Sequence, residues 1–214
     1  MRYGVLGTGT VGRTIASKLV ELGHEVTMGS RQAGNEAAVE WVRSAGHGAA
    51  EGDFADAAGA GEVVFNCTTG TGSLAALDAA GEETLSGKVL VDVANPLDSS
   101  QGMPPILSVC NDDSLAEQIQ RAYPEARVVK ALNMVNAAVM TDPGILPGEH
   151  DAFIAGDDEG AKAEVTTLLE SFGWPSVIDL GEISAARGME MYLPLWLRLF
   201  QATGTAQLNI RLVR

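Results

Sequence analysis

Cysteine is nearly absent: Cys67 and Cys110 are the only two in 214 residues. Neither belongs to a C-x-x-C pair or a His cluster, so no metal or redox motif is present. Cys67 sits in an apolar run and reads as a small packed hydrophobe. Aromatic residues are scarce, at 5%, although 46% of the chain is hydrophobic; Ala, Val and Leu have to fill the core. Positive charge is short as well. Fourteen Lys and Arg face 28 Asp and Glu, for a net charge of −14 and a pI near 4.5. Such a surface repels phosphate backbones, so no nucleic-acid partner is expected. The most apolar late segment, "MYLPLWLRLF", is too short to cross a bilayer and carries Pro194 and Arg198. The opening "MRYGVLG" reads as a strand and not a signal peptide. A cytoplasmic, soluble protein without a membrane partner is the expectation. Catalytic sets are missing too: there is no H-E-x-x-H, Ser-His-Asp or paired-carboxylate signature. His24, His47 and His150 stand apart and read as surface or turn residues.

What is there is an alternation. Short apolar runs ("RYGVLG", "HEVTMGS", "EVVFNCT", "KVLVDVANP", "ARVVKAL") alternate with helical patterns such as "TVGRTIASKLVELG" and "DEGAKAEVTTLLESFG". "GSLAALDAAGEETLSG" reads as one helix, as does "SAARGMEMYLPLWLRLFQATG" near the end. The pattern predicts an α/β, Rossmann-type doubly wound, mostly parallel sheet. Residues 1–182 form the dinucleotide-binding domain. Residues 183–214 form a small C-terminal helix-strand lobe that completes the substrate pocket.

Gly7, Gly9 and Gly12 make a G-x-G-x-x-G that directly follows a strand and opens a helix. Gly7 permits the tight turn, Gly9 lets a pyrophosphate approach the backbone, and Gly12 lets the helix pack on the strand. The N–H groups of Thr10, Val11 and Gly12 then face the phosphates, with hydroxyl donors from Thr8 and Thr10. A carboxylate for the ribose of NAD belongs about 20 residues further on. It is missing: after the second strand come Gly29, Ser30 and Arg31. Arg31 can pair with a 2'-phosphate and stack on adenine, Ser30 offers a hydroxyl, and Gly29 allows close approach. The cofactor expected is NADP(H).

With these residues, with "VVKALNMVNAAVM" followed by "DPG", and with the closing "PLWLRLFQATGTAQLNIRL", the chain resembles the NADPH:F420 oxidoreductase family over nearly its whole length. The resemblance implies direct hydride transfer between NADP and the deazaflavin F420, with no catalytic side chain and no metal. It implies that Thr68 and Thr69 line the cofactor cleft and that Ala94, Asn95 and Pro96 approach the nicotinamide half. It places Ala137 beside the cofactor, and Asn133, Val135 and Leu208 beside the acceptor. A flavin or a quinone-like compound stands open as acceptor in place of F420.

Two other readings stay open. One is a reductase of the 6-phosphogluconate-dehydrogenase-like group, for which the stretch after the sheet is short. The other is a non-catalytic NADP-binding redox sensor. Leu193, Leu197 and Phe200, with Trp196 beside them, share a helical face that is core or half of a homodimer interface. The family resemblance favours the homodimer.

Overall fold

The computed structural model describes residues 1–213. The first half alternates strand and helix, with two helices before the last strand: β1 (Arg2–Leu6), α1 (Thr10–Glu21), β2 (Glu25–Ser30), α2 (Glu36–Ala45), β3 (Ala49–Asp53), α3 (Phe54–Ala60), β4 (Val63–Asn66), α4 (Ser73–Ala80), α5 (Glu82–Leu85) and β5 (Val89–Asp92). A hairpin of β6 (Leu97–Asp98) and β7 (Ile106–Leu107) follows. Then come α6 (Leu115–Ala122), β8 (Arg127–Ala131), α7 (Ala137–Thr141), β9 (Ala152–Gly156), α8 (Glu159–Ser171), β10 (Val177–Asp179), α9 (Ala186–Met191) and α10 (Leu193–Thr203).

Eight strands form one sheet in the order β10-β9-β8-β5-β4-β1-β2-β3. The stretch from β8 to β3 is parallel throughout, and β9 joins β8 antiparallel. The expected doubly wound, mostly parallel sheet is therefore present. Strand order reverses between β1 and β4, which opens the crevice where such sheets take ligands.

The continuous apolar runs follow from burial on both faces. Alternate residues of one strand enter opposite layers. Val5, Phe65, Val91 and Val129 pack under α1, α2 and α8, whereas Leu6, Val64, Leu90 and Val128 pack under α3, α4 and α6. In the second layer α3 lies close on the sheet. A Cβ on Gly4 would lie 2.3 Å from the Ala57 carbonyl oxygen, and one on Gly29 would lie 2.8 Å from Ala57 Cβ. The missing side chain of Gly29 thus admits α3, and the expected close approach of a cofactor there is corrected.

Four further expectations change. The helix read over "GSLAALDAAGEETLSG" breaks into α4 and α5 at Gly81, whose φ of +90° suits glycine. The closing helix breaks at Tyr192, and α10 restarts with Pro194 in its first turn, where a missing N–H costs nothing. The closing strand does not form among the described residues, and Arg214 lies outside them. Residues 205–213 run as irregular chain tied to Asp151, whose N–H donates to the Ile210 carbonyl at 3.1 Å. Asp151 Oδ2 accepts from Leu212 N at 2.6 Å. His150, read as a surface or turn residue, is 7% exposed and edge-on to Trp174. Among the described residues no helix is long and apolar enough to cross a membrane.

The loop into α6 carries one pH-sensitive contact. Arg121 Nη2 donates to both Asp113 oxygens, at 3.0 and 2.9 Å. That bond, ahead of the opposing effect of burial and of a second bond from Gln118, holds the Asp113 carboxyl down to about 2. A carboxyl lowered in the folded state adds stability above its ordinary pKa and loses it as pH falls through the folded value. Asp113→Asn is expected to cost about 0.2–1 kcal/mol near neutrality, since Arg121 is exposed. The cost should shrink as pH falls and vanish below about pH 2. Denaturant unfolding at neutral and acid pH measures it, and an equal cost at both would contradict the assignment.

Candidate functional site

The glycine loop does three different things with three glycines. Gly7 has φ +120°, and a Cβ there would sit 2.7 Å from the Cys67 carbonyl oxygen. Gly12 brings α1 against the turn, with a Cβ position only 2.1 Å from the Gly7 carbonyl oxygen. Nothing lies within 4 Å of a Cβ on Gly9, so this is the face left open for a ligand. Gly9 also caps α1 without a side-chain hydrogen bond, and the first turn holds no acid. The free amides and the helix dipole at that end suit an anion.

A cleft of about 1020 Å³ extends from this loop, between β1, β2 and β4. Gly7, Thr8 and Gly9 line it, with Ser30 and Arg31 on one side and Thr68 and Thr69 on the other. Arg31 is exposed and forms no ion pair with a described residue. Ser30 is buried, and its hydroxyl donates to the Gln32 carbonyl at 2.6 Å while accepting from Gln32 N. The serine therefore shapes the turn that presents Arg31. Phe54 and the Ala75, Ala76 and Ala79 face of α4 complete the cleft. No sequence pattern marks these residues, because only the sheet brings α3 and α4 to the loop.

A second cavity, of about 240 Å³, adjoins the first through Cys67 and Thr68, which line both. It gathers Val11, Ala94, Asn95, Asn133, Val135 and Ala137. Met140, Leu193 and Trp196 add further walls, so the closing helix reaches this pocket, as expected of the C-terminal lobe, whereas Met140 is an addition. Pro96 is buried behind it, with its carbonyl accepting from Ser108. Thr10 faces a separate polar groove with Arg13 and Glu40. Gly12 is packed into α1. Leu208 lies in another groove, beside His150 and Leu146, and is not brought to the other predicted residues.

The strand ends that carry these residues are braced from below by buried polar groups. Lys130, fully buried in β8, donates to Asp92 Oδ2 at 2.7 Å, to Glu190 Oε1 at 2.8 Å and to the Ala94 carbonyl. Asp92 Oδ1 accepts from Ala94 N and from Asn66 Nδ2. Asn66 Oδ1 in turn accepts from the Thr68 hydroxyl at 2.6 Å. Glu190 reaches the start of α6, accepting from Leu115 N and Ala116 N. Burial opposes the charge on Lys130, but the two carboxylates outweigh it and hold the ammonium above its ordinary range. Burial pushes Glu190 up; with three donors on its two oxygens, it serves here as the carboxylate. The only signal of this network in the sequence was a Lys and an Asp inside apolar strands. Leu132, next after β8, is buried with φ +61°. That strained turn re-aims the chain toward Asn133.

The sequence profile described as "NADP oxidoreductase coenzyme F420-dependent" matches residues 2–96. The chain is 30% identical over 217 residues to the F420-dependent NADP reductase of Methanocaldococcus jannaschii, covering 96% of each protein. The chain belongs to this family. Among solved structures, a candidate F420-dependent NADP reductase from Arthrobacter sp. FB24 has 53% identity and a TM-score of 0.96, with full coverage of both chains. The family chain is also 30% identical over 204 residues to Metalloreductase STEAP3 of Rattus norvegicus. It spans only 38% of that protein's length, and 91% of itself is covered.

Proposed function

We propose that this chain is an NADP(H)-dependent oxidoreductase that moves hydride between the nicotinamide cofactor and a deazaflavin of the F420 type. The observation that carries this reading is the junction at Cys67 and Thr68. It joins a cleft with free helix amides and an unpaired cation to a small cavity with largely apolar walls. The residues present fit the cofactor: Gly9 leaves room for a pyrophosphate, and Arg31 stands where a 2'-phosphate would lie. When bound, NADP(H) supplies the hydride donor or acceptor at its nicotinamide ring.

The chain's own part is positioning. Ala94 and Asn95, after β5, and Val135 and Ala137, before and at the start of α7, would hold the nicotinamide and the acceptor ring, a transfer that needs positioning and no catalytic side chain. Met140, Leu193 and Trp196 exclude water from that space. Leu195 and Phe200 on α10 are 56% and 40% exposed, which supports a homodimer through this helix as part of the same reading. The test is spectrophotometric: wild-type protein with NADPH and F420, then NADH with F420. NADPH is expected to reduce F420 and NADH to be a poor donor. Tight NADPH binding with no turnover of F420, flavin or quinone would instead mark a sensor.

A further inference from the structure

The last register pair of β4 and β5 is Asn66 with Asp92, and Lys130 of β8 stands next in the same row. Asn66 and Asp92 are fully buried, and neither lines the two cavities. Past this row the two side chains repeat one move. Asn66 Oδ1 accepts from Thr68 N at 3.3 Å and from the Thr68 hydroxyl at 2.6 Å. Asp92 Oδ1 accepts from Ala94 N at 3.2 Å. Each is an Asx turn, which bends the chain through a bond to the amide two residues on. The turns are joined across the strands, because Asn66 Nδ2 donates to Asp92 Oδ1 at 2.8 Å. Its other hydrogen goes to the Ser73 hydroxyl at 3.0 Å, and Ser73 donates in turn to the Thr69 carbonyl.

The amide is fixed at both ends. A backbone N–H only donates, so Oδ1 faces Thr68; Asp92 accepts from the Lys130 ammonium, so Nδ2 faces the carboxylate. The choice of asparagine over aspartate follows as well. Asp92 and Glu190 already share Lys130, and a third buried carboxylate in the row would strand a charge. We infer that Asn66 is a positioning residue for hydride transfer: it sets the loop that carries Thr68 against the loop that carries Ala94. The inference rests on reading the two cavities as the cofactor and acceptor sites. Thr68 lines both and Ala94 lines the smaller, so their spacing shapes the wall at the junction. A misplacement of about 1 Å there is enough to cost roughly 100-fold in rate.

Asn66→Asp keeps the shape and the acceptor for Thr68, and places a carboxyl against Asp92. Two buried carboxyls in contact retain a proton to higher pH than one alone. While protonated, the introduced group donates to Asp92 as the amide did; once ionised, it repels Asp92. The Cys67 thiol, next in the chain, is pushed far above its ordinary range by burial and then by Asp92, and stays protonated throughout. With NADPH and F420, kcat and KM are measured at about pH 6 and about pH 9, on either side of such a raised carboxyl. The ratio of variant to wild type removes what Lys130 and Glu190 contribute to both. That ratio for kcat is expected to fall roughly 10–100-fold between the two pH values. Binding of adenosine 2',5'-bisphosphate, which spans Arg31 but not the junction, should stay unchanged and report an intact fold. A role confined to stability would lower the melting midpoint and leave the kcat ratio level with pH, and a level ratio overturns the inference. Should the variant fail to bind the bisphosphate, Ser73→Ala decides. It removes one of the two acceptors of Asn66 Nδ2 and should lower kcat roughly 2–10-fold, the worth of one hydrogen bond; an unchanged kcat overturns the inference. A wild type that fails to reduce F420 removes the functional proposal instead. The inference is then read from the nicotinamide fluorescence of bound NADPH, which should depart from wild type in Asn66→Asp at the higher pH only. The same emission at both pH values overturns it.

Discussion

Lys130→Met is expected to lower folding stability by about 3–5 kcal/mol, the scale for deleting one partner of a buried ion cluster. The reason is the charge left behind. Asp92 and Glu190 are 0% and 1% exposed, and Lys130 is the ammonium between them. Methionine fills much of the volume, so little of the loss comes from a cavity. It comes from two carboxylates with no cation, and from an Ala94 carbonyl without its donor. A second substitution separates charge from packing. In Lys130→Met with Glu190→Gln, the amide oxygen keeps only one of the two bonds that Leu115 N and Ala116 N make to separate carboxylate oxygens, but the buried charge is gone, so part of the loss should return. Denaturant midpoints of wild type, single and double variants measure both steps. A single variant within about 1 kcal/mol of wild type, below the cost of a stranded buried charge, would mean that the cluster is not held as a charged unit. Because Lys130 holds the loop that carries Ala94 and Asn95, the folded fraction of the single variant should also bind NADPH more weakly.

That cluster marks the limit of what the sequence discloses. The glycine loop was legible residue by residue, because each backbone demand there admits one residue type: a positive φ at Gly7, open approach at Gly9, helix contact at Gly12. The parallel sheet was legible for a similar reason, since double-sided burial leaves unbroken apolar runs. Ser30 was legible as a site residue but not in its action. Whether a hydroxyl faces a ligand or its own turn is settled by a local bond, here to the Gln32 carbonyl. Glu190 was opaque because only the folded chain brings α9 to the buried Lys130 of β8. Leu208, placed near the acceptor by resemblance, sits by His150 instead. Asn209 and Asp151 anchor its segment there, through bonds between residues far apart in the chain.

Arg31→Ala should weaken NADPH by about 1.5–3 kcal/mol, the worth of a hydrogen bond to a charged group, and leave NADH almost unchanged. The argument starts from position. β2 ends at Ser30, beside the reversal of strand order, and the following turn is closed by Ser30 on Gln32 and by Glu51 on Gly34 N. The turn is therefore built before any ligand arrives, and Arg31 stands on it exposed, with no carboxylate paired to it among the described residues. In a chain of net charge −14, an unpaired arginine at this place has no structural reason to stay unpaired. A phosphate on the adenine ribose supplies one, because a guanidinium forks onto phosphate oxygens. Exposure sets a further condition: the preference for NADPH over NADH should shrink as salt rises, since the Debye length falls from about 10 Å at 0.1 M to about 3 Å at 1 M. Ser30→Ala should then act indirectly. It loosens the turn and costs less than Arg31→Ala, because its hydroxyl holds the backbone and not the phosphate. Titrations with both cofactors at two salt concentrations read all of this. An equal loss for NADPH and NADH in Arg31→Ala, independent of salt, would show that the arginine holds the shared part of the cofactor and leaves the 2'-phosphate to other groups.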